Sequence, residues 1–248
     1  MHFLFSGKSI FNVLIVFSFL CYPSKTQSQI VFENYIEVLN NNVSRGVNTN
    51  FATQLAARVG NFSISSAGLF TFQDPQKNTL KAFTIHSAIH FKLLKKDFFV
   101  EPFYLWKPFS DILRETNYGI ITDLQTKHVG LGIGFNSRNY SFSEASYQRY
   151  NFDKDTKTNI RETINMMYKI SFYQTIYKKL DLGLSISNYD LFIIQQATNP
   201  MLTAKFSYNV NSNLKVFSDV GVIEAGILNL RVNHFGLFWK GGLQWQIK

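Results

Sequence analysis

The stretch Thr163-Ile-Asn-Met-Met-Tyr-Lys-Ile-Ser-Phe-Tyr-Gln-Thr-Ile-Tyr177 decides how this chain folds. Its even positions include Ile164, Met166, Tyr168, Ile170, Phe172 and Ile176, and its odd positions include Thr163, Asn165, Lys169, Ser171 and Thr175. A period of two sends alternate side chains to opposite faces of a pleated strand, one face apolar and the other wet. A helix would need apolar residues three and four apart, and that spacing persists nowhere in the chain beyond about two turns. The alternation returns in Leu202, Ala204, Phe206, Tyr208 and Val210 against Thr203, Lys205, Ser207 and Asn209. It returns once more at the end, where Phe235, Leu237, Trp239, Leu243, Trp245 and Ile247 stand against Lys240, Gln244 and Gln246.

Working outward from these anchors, the pattern predicts twelve strands, at 30–39, 50–60, 61–72, 80–93, 97–107, 117–124, 127–142, 163–177, 180–194, 200–210, 214–223 and 234–247. The connections alternate in length without exception. Long ones at 40–49, 73–79, 108–116, 143–162, 195–199 and 224–233 are interleaved with short ones at Gly60-Asn61, 94–96, 125–126, 178–179 and 211–213. An even strand count, dyad alternation and alternating short turns and long loops predict an all-β chain folded as a transmembrane antiparallel up-and-down β-barrel. A soluble β-sandwich also alternates. Strands as long as 163–177, with aromatic residues such as Phe172 and Tyr177 or Phe235 and Trp245 near their ends, suit a tilted membrane span with interfacial girdles instead.

The first 29 residues read differently. Lys8 precedes an apolar run from Ile10 to Tyr22, and a polar segment from Ser24 to Gln29 follows, the order of a secretory signal peptide. The run is shorter than the roughly 20 residues that a bilayer-spanning helix needs. The domain organisation expected is therefore a leader, 1–29, and a single barrel domain, 30–248. Cys21 is the only cysteine, and Ser18, Phe19 and Leu20 before it lack the small residue that lipoprotein processing wants. Cleavage near Gln29 leaves a mature chain without disulfides, thiolate nucleophile or thiolate metal ligand. Cleavage also removes Lys8 and Lys25 and no acidic residue, so the formal charge falls from +9 to +7. Basic residues are scattered, with no stripe or module for nucleic acid, and an anionic membrane surface is the expected counterpart.

From Ile30 to Lys248 the chain resembles a small outer-membrane β-barrel protein of the porin-like superfamily, of the sort common in Bacteroidota. Its terminal strand reads Phe-Gly-Leu-Phe-Trp-Lys-Gly-Gly-Leu-Gln-Trp-Gln-Ile-Lys. The resemblance implies a bacterial outer-membrane location with both termini in the periplasm, and outer-membrane lipid, lipopolysaccharide and the barrel-assembly machinery as partners. It implies no specific activity. Members of the class often end on an aromatic residue recognised during assembly, whereas here Gln246, Ile247 and Lys248 follow Trp245.

Few residues carry chemistry. His86-Ser-Ala-Ile-His90 has the histidine spacing of a zinc-protease helix, but Ser87 stands where the general base would sit. On a strand the two rings are roughly 13 Å apart, too far to share a metal. His128 opens His-Val-Gly-Leu-Gly-Ile-Gly-Phe-Asn; barrel lipid hydrolases place a nucleophilic serine two residues from such a histidine, and here Gly130 occupies that place. Unrelated serines such as Ser137 or Ser143 could substitute only where the fold brings them within hydrogen-bond reach of His128. Gly130, Gly132 and Gly134 share the His128 face, either admitting a large side chain or widening the lumen. Asp153 and Asp155 lack the glycine and glutamate of a calcium loop. No cofactor or metal is expected.

With the apolar face towards lipid, parity sends Glu33, Glu37, Arg58, Lys92, Glu101, Lys169, Lys205, Lys215, Asp219 and Lys240 inward, with His86, His90 and His128. Arg58, His86, His90, Lys92, His128, Lys169, Lys205 and Lys240 are the lumen-lining candidates. The leading functional reading is a narrow pore or uptake channel for small solutes, with anions favoured by the basic excess, and no enzyme. A second is a closed barrel whose loop 143–162 binds partners through Tyr147, Arg149, Tyr150, Asp153 and Asp155, alongside Lys154 and Lys157. A third is a membrane-embedded lipid hydrolase centred on His128.

Overall fold

The computed structural model describes residues 28–41, 47–72, 79–93, 96–108, 113–142, 160–161, 164–223 and 236–247. Its strands are β1 (Ser28–Asn41), β2 (Val47–Val59), β3 (Phe62–Thr71), β4 (Leu80–Leu93), β5 (Lys96–Pro108), β6 (Leu113–Gln125) and β7 (Val129–Phe142). There follow β8 (Ile160–Arg161), β9 (Asn165–Tyr177), β10 (Leu180–Ser187), β11 (Met201–Asn209), β12 (Leu214–Ile223) and β13 (Gly236–Ile247). Sequence neighbours pair antiparallel, β1 closes on β13, and the two-residue β8 pairs with β7 beyond the start of β9. Leaving β8 aside, twelve strands form a closed ring. Closure gives every strand two partners, which meets the requirement of a hydrocarbon solvent that backbone N–H and C=O groups be bonded internally. The tight end of the ring carries turns such as Gly60-Asn61, where Gly60 adopts a φ of 59° that favours glycine.

The register converts alternation into two surfaces. On β1, Phe32 and Ile36 point outward while Glu33, Tyr35 and Glu37 point inward, and Glu37 faces Asn50 of β2 and Lys240 of β13. The outward set continues through Leu55, Ile64, Ile85, Leu131, Ile170, Leu184, Leu202, Val220 and Trp239, each at least 39% exposed. An apolar band of that extent around the whole circumference is a membrane surface, since a soluble protein rarely exposes contiguous apolar patches beyond a few hundred Å². Tyr104 stacks at a tilt on Tyr118 and Phe91 on Phe98 in this band. All three tryptophans, Trp106, Trp239 and Trp245, also face outward.

The largest departure from the pattern lies after β10. Alternation alone extends that strand to residue 194, but the ladder stops at Ser187. The cause is Asn188, which is fully buried. Its Oδ1 accepts the Tyr168 N–H at 2.8 Å, and its Nδ2 donates to the Met166 carbonyl at 2.8 Å. The side chain thus takes a backbone partner on β9 that the strand would otherwise use, and the chain turns inward. Elsewhere the strand ends shift by a few residues. β6 begins at Leu113 rather than 117, which brings Glu115 into the wall, and β2 begins at Val47 rather than 50. β1 already starts at Ser28, inside the polar tail of the expected leader; residues 1–27 lie outside the described residues.

Candidate functional site

Residues 188–195 form a small hairpin inside the barrel. Gln195 N–H donates to the Asn188 carbonyl at 2.7 Å, Tyr189 bridges Ile194, and Asp190 N–H donates to the Ile193 carbonyl at 2.7 Å around the tip. Both ends of this segment join the barrel at its long-loop end, so the tip points towards the short-turn end. Phe192 and Ile194 are 4% and 5% exposed. They pack with Tyr35, Ala52, Leu69, Ala82, Phe103, Leu105, Ile121, Met167 and Phe217, inward-facing residues of β1 to β6, β9 and β12. This is an apolar core inside the lumen, and it fills the barrel at that level. Alternation in the sequence hides it because Leu191 to Ile194 is apolar at every position, a run that a continuing strand and a buried plug share.

Two ionic clusters hold the hairpin. On the long-loop side, Arg138 donates through Nη2 to the Ile194 carbonyl at 2.5 Å. Arg138 itself is 2% exposed and lies 3.3 Å from Glu115, which also meets Lys107 at 3.3 Å. Asn117 donates to Glu115 and accepts from Asn136, each at 2.9 Å, so the buried charges sit in a bonded network. Towards the short-turn side, the Lys240 ammonium donates to Asp190 and stands 3.9 Å from Glu37. The Asp190 carboxylate also accepts the Leu191 N–H at 2.7 Å, so it is held by Lys240 and by its own backbone turn. Asp190 escaped the sequence reading because it fell on a presumed strand. Glu115 fell in a presumed loop, and Arg138 shares the parity of Gly130 to Gly134, a signal that could have found it.

Below the hairpin the lumen opens into a vestibule of ≈ 840 Å³, continuous in lining with a central space of ≈ 290 Å³. Five lysines (127, 169, 205, 215 and 240) and His128 line the vestibule, against four carboxylates, Glu33, Asp181, Asp190 and Asp219. Lys205 pairs with Asp219 at 3.7 Å and lies 4.3 Å over the Phe217 ring. Among the described residues Lys127, Lys169 and Lys215 have no ion pair. The glycines of β7 admit side chains. Gly132 leaves room for the Tyr189 hydroxyl, which would lie 2.9 Å from an added Cβ, and Gly130 does the same for Tyr173 at 3.2 Å.

The remaining candidates fall into two groups. His86 bonds Glu101 at 2.5 Å and stacks on Phe103, and its Nε2 is buried with no hydrogen-bond partner among the described residues. His90 bonds Asp97 at 2.8 Å and meets Arg58 at 3.3 Å, while Lys92 faces Asp97 in the register at the short-turn rim. His128 donates through Nδ1 to the Tyr173 carbonyl at 3.2 Å. Gly130 of β7 faces Ser171, and Ser137 lies on the outward face, so no nucleophile is brought to His128 by this strand. Tyr147, Arg149, Tyr150, Asp153 and Asp155 lie outside the described residues, as does Ser143.

The closed ring, apolar belt and charged lumen together define a small twelve-stranded transmembrane β-barrel. The chain is similar to a structure of the KdgM porin, with a TM-score of 0.53 and 12% identity over 88% of this chain and 99% of that one. It is similar to a KdgM porin in complex with disordered oligogalacturonate, with a TM-score of 0.51 and 12% identity over 87% and 99%. It is also similar to the NanC porin, with a TM-score of 0.50 and 14% identity over 86% and 100%. No protein-family model and no curated protein matches the sequence.

Proposed function

We propose that this protein is a channel for small solutes in the bacterial outer membrane, with both termini in the periplasm and a vestibule that favours anions. The observation that carries the anion preference is the set of lysines without an ion pair among the described residues, Lys127, Lys169 and Lys215, in a cavity whose other two lysines are already paired. A cavity with protein walls focuses the charge of such lysines on the ions within it. The similar barrel solved with oligogalacturonate, an anion, supports the same class of solute. Reconstitution in planar bilayers under a salt gradient tests the reading. The reversal potential should show anion preference, and Lys169→Glu together with Lys215→Glu should move it towards cations. Cation preference in the unsubstituted barrel would refute the anion assignment.

The filled level at the hairpin favours a second arrangement, a barrel shut in its resting state. It is compatible with transport only where the hairpin moves.

A further inference from the structure

The hairpin is built as a unit separate from the wall that surrounds it. The β10 ladders to β9 and β11 end at Ser187, which faces Lys169 and Met201. No backbone bond of the ring is therefore spent on Asp190 to Ile193, and the tip can leave the lumen without opening a strand pair. Asn188 anchors the root of the hairpin to β9 by its side chain and by its own N–H, which donates to the Tyr168 carbonyl at 3.2 Å, and that anchor does not depend on the tip.

Side-chain contacts to the wall remain. At the tip the ionic one is Asp190 with Lys240, and both residues line the vestibule. Removing a carboxylate from a buried ammonium is costly when nothing replaces it. A solute carboxylate entering from the short-turn end changes that balance. It can occupy Lys240 while Asp190 passes to water, so the buried ammonium keeps a second carboxylate beside Glu37. The solute binds only where Asp190 has vacated Lys240, and that differential affinity is what shifts the population.

We propose that hairpin 188–195 is a displaceable plug, and that a small carboxylate-bearing solute entering from the short-turn end releases it by replacing Asp190 on Lys240. The proposal rests on the channel reading above. Lys240 is then the point at which solute recognition and opening are coupled. Lys169, which lines the vestibule with no ion pair among the described residues, draws the solute towards it.

The full mature barrel, its folding verified by circular dichroism and heat-shifted gel mobility, is reconstituted in planar bilayers in potassium chloride. Chloride is then replaced by acetate at fixed ionic strength, in one compartment at a time. Three proteins are compared: the unsubstituted barrel, Asp190→Asn, and a variant whose residues 189–194 are replaced by Gly-Gly. The unsubstituted barrel should dwell in a low-conductance state, and acetate on one side only should raise the occupancy of a high-conductance state at least tenfold. Asp190→Asn should show that high occupancy in chloride alone and gain nothing from acetate. The hairpin replacement should conduct steadily in every condition. Conductance of the replacement no larger than that of the unsubstituted barrel overturns the plug while leaving the channel intact. A folded replacement that never conducts overturns the channel reading itself. Asp190→Asn behaving like the unsubstituted barrel, or acetate opening Asp190→Asn as readily, overturns the Lys240 latch.

Discussion

Leu184 and Ser185 are neighbours on β10 that face opposite ways, and one arginine placed at each in turn measures what surrounds the barrel. Leu184 is 47% exposed and lies outward between Phe172 and Ala204, while Ser185 lies inward between Ser171 and Thr203 on the vestibule wall. Leu184→Arg forces a guanidinium into the hydrocarbon layer. A cation near the middle of the bilayer on the lipid face of a barrel costs roughly 2–4 kcal/mol. At 1.4 kcal/mol per factor of ten, the folding equilibrium should fall about 30- to 700-fold. Ser185→Arg enters a hydrated space of ≈ 840 Å³ that already holds Asp181 and Asp190. A substitution at such a wetted site should change stability by no more than about 0.5 kcal/mol. The assay is urea-driven unfolding of barrels refolded in phosphatidylcholine vesicles, followed by the fluorescence of the three outward tryptophans. Equal losses at the two positions, or a larger loss at Ser185, would refute the assignment of the outer face to lipid.

Glu115→Gln removes the carboxylate that Lys107 and Arg138 share. Leaving buried cations unmatched should cost roughly 3–5 kcal/mol, seen as a lower thermal midpoint by far-ultraviolet circular dichroism that Lys107→Met partly restores; an unshifted midpoint would contradict the buried network. Gly132→Leu projects into the space of the Tyr189 hydroxyl and Asp123. It should unseat the hairpin and raise conductance in the intact barrel, and it should no longer raise conductance once residues 189–194 are replaced. Asn188→Ala strips the bond from the Tyr168 N–H, and an unmet buried donor costs about 1–3 kcal/mol. Amide exchange should then quicken through 188–195 while β1 and β2 keep their protection, and uniform protection would show that Asn188 is not the anchor.

Alternation in the chain was sufficient for the ring and for its two faces. The period of a strand is two whatever it pairs with, and a membrane on one side with water on the other leaves only one arrangement of Leu131, Ile170 and Trp239 against Lys169 and Lys240. The expected twelve-strand count and the order of short and long connections follow from the same local rule, because antiparallel neighbours need nothing from distant residues. Strand ends were less legible, as with Glu115, since polar residues near a barrel rim suit wall and loop equally.

The interior was decided by tertiary structure. Parity says that a side chain points inward but not what it meets there, and the partners of Lys240, Asp190 and Glu37, are 50 and 203 residues away in sequence. The hairpin is the clearest case. Leu-Phe-Ile-Ile at 191–194 has no periodicity to betray it, and its inward turn depends on Asn188 finding the Tyr168 backbone on the neighbouring strand. Local sequence sets the two faces because the backbone repeats. Only the closed ring, by fixing the volume left inside, determines that a segment must enter to fill it and which charges hold it there.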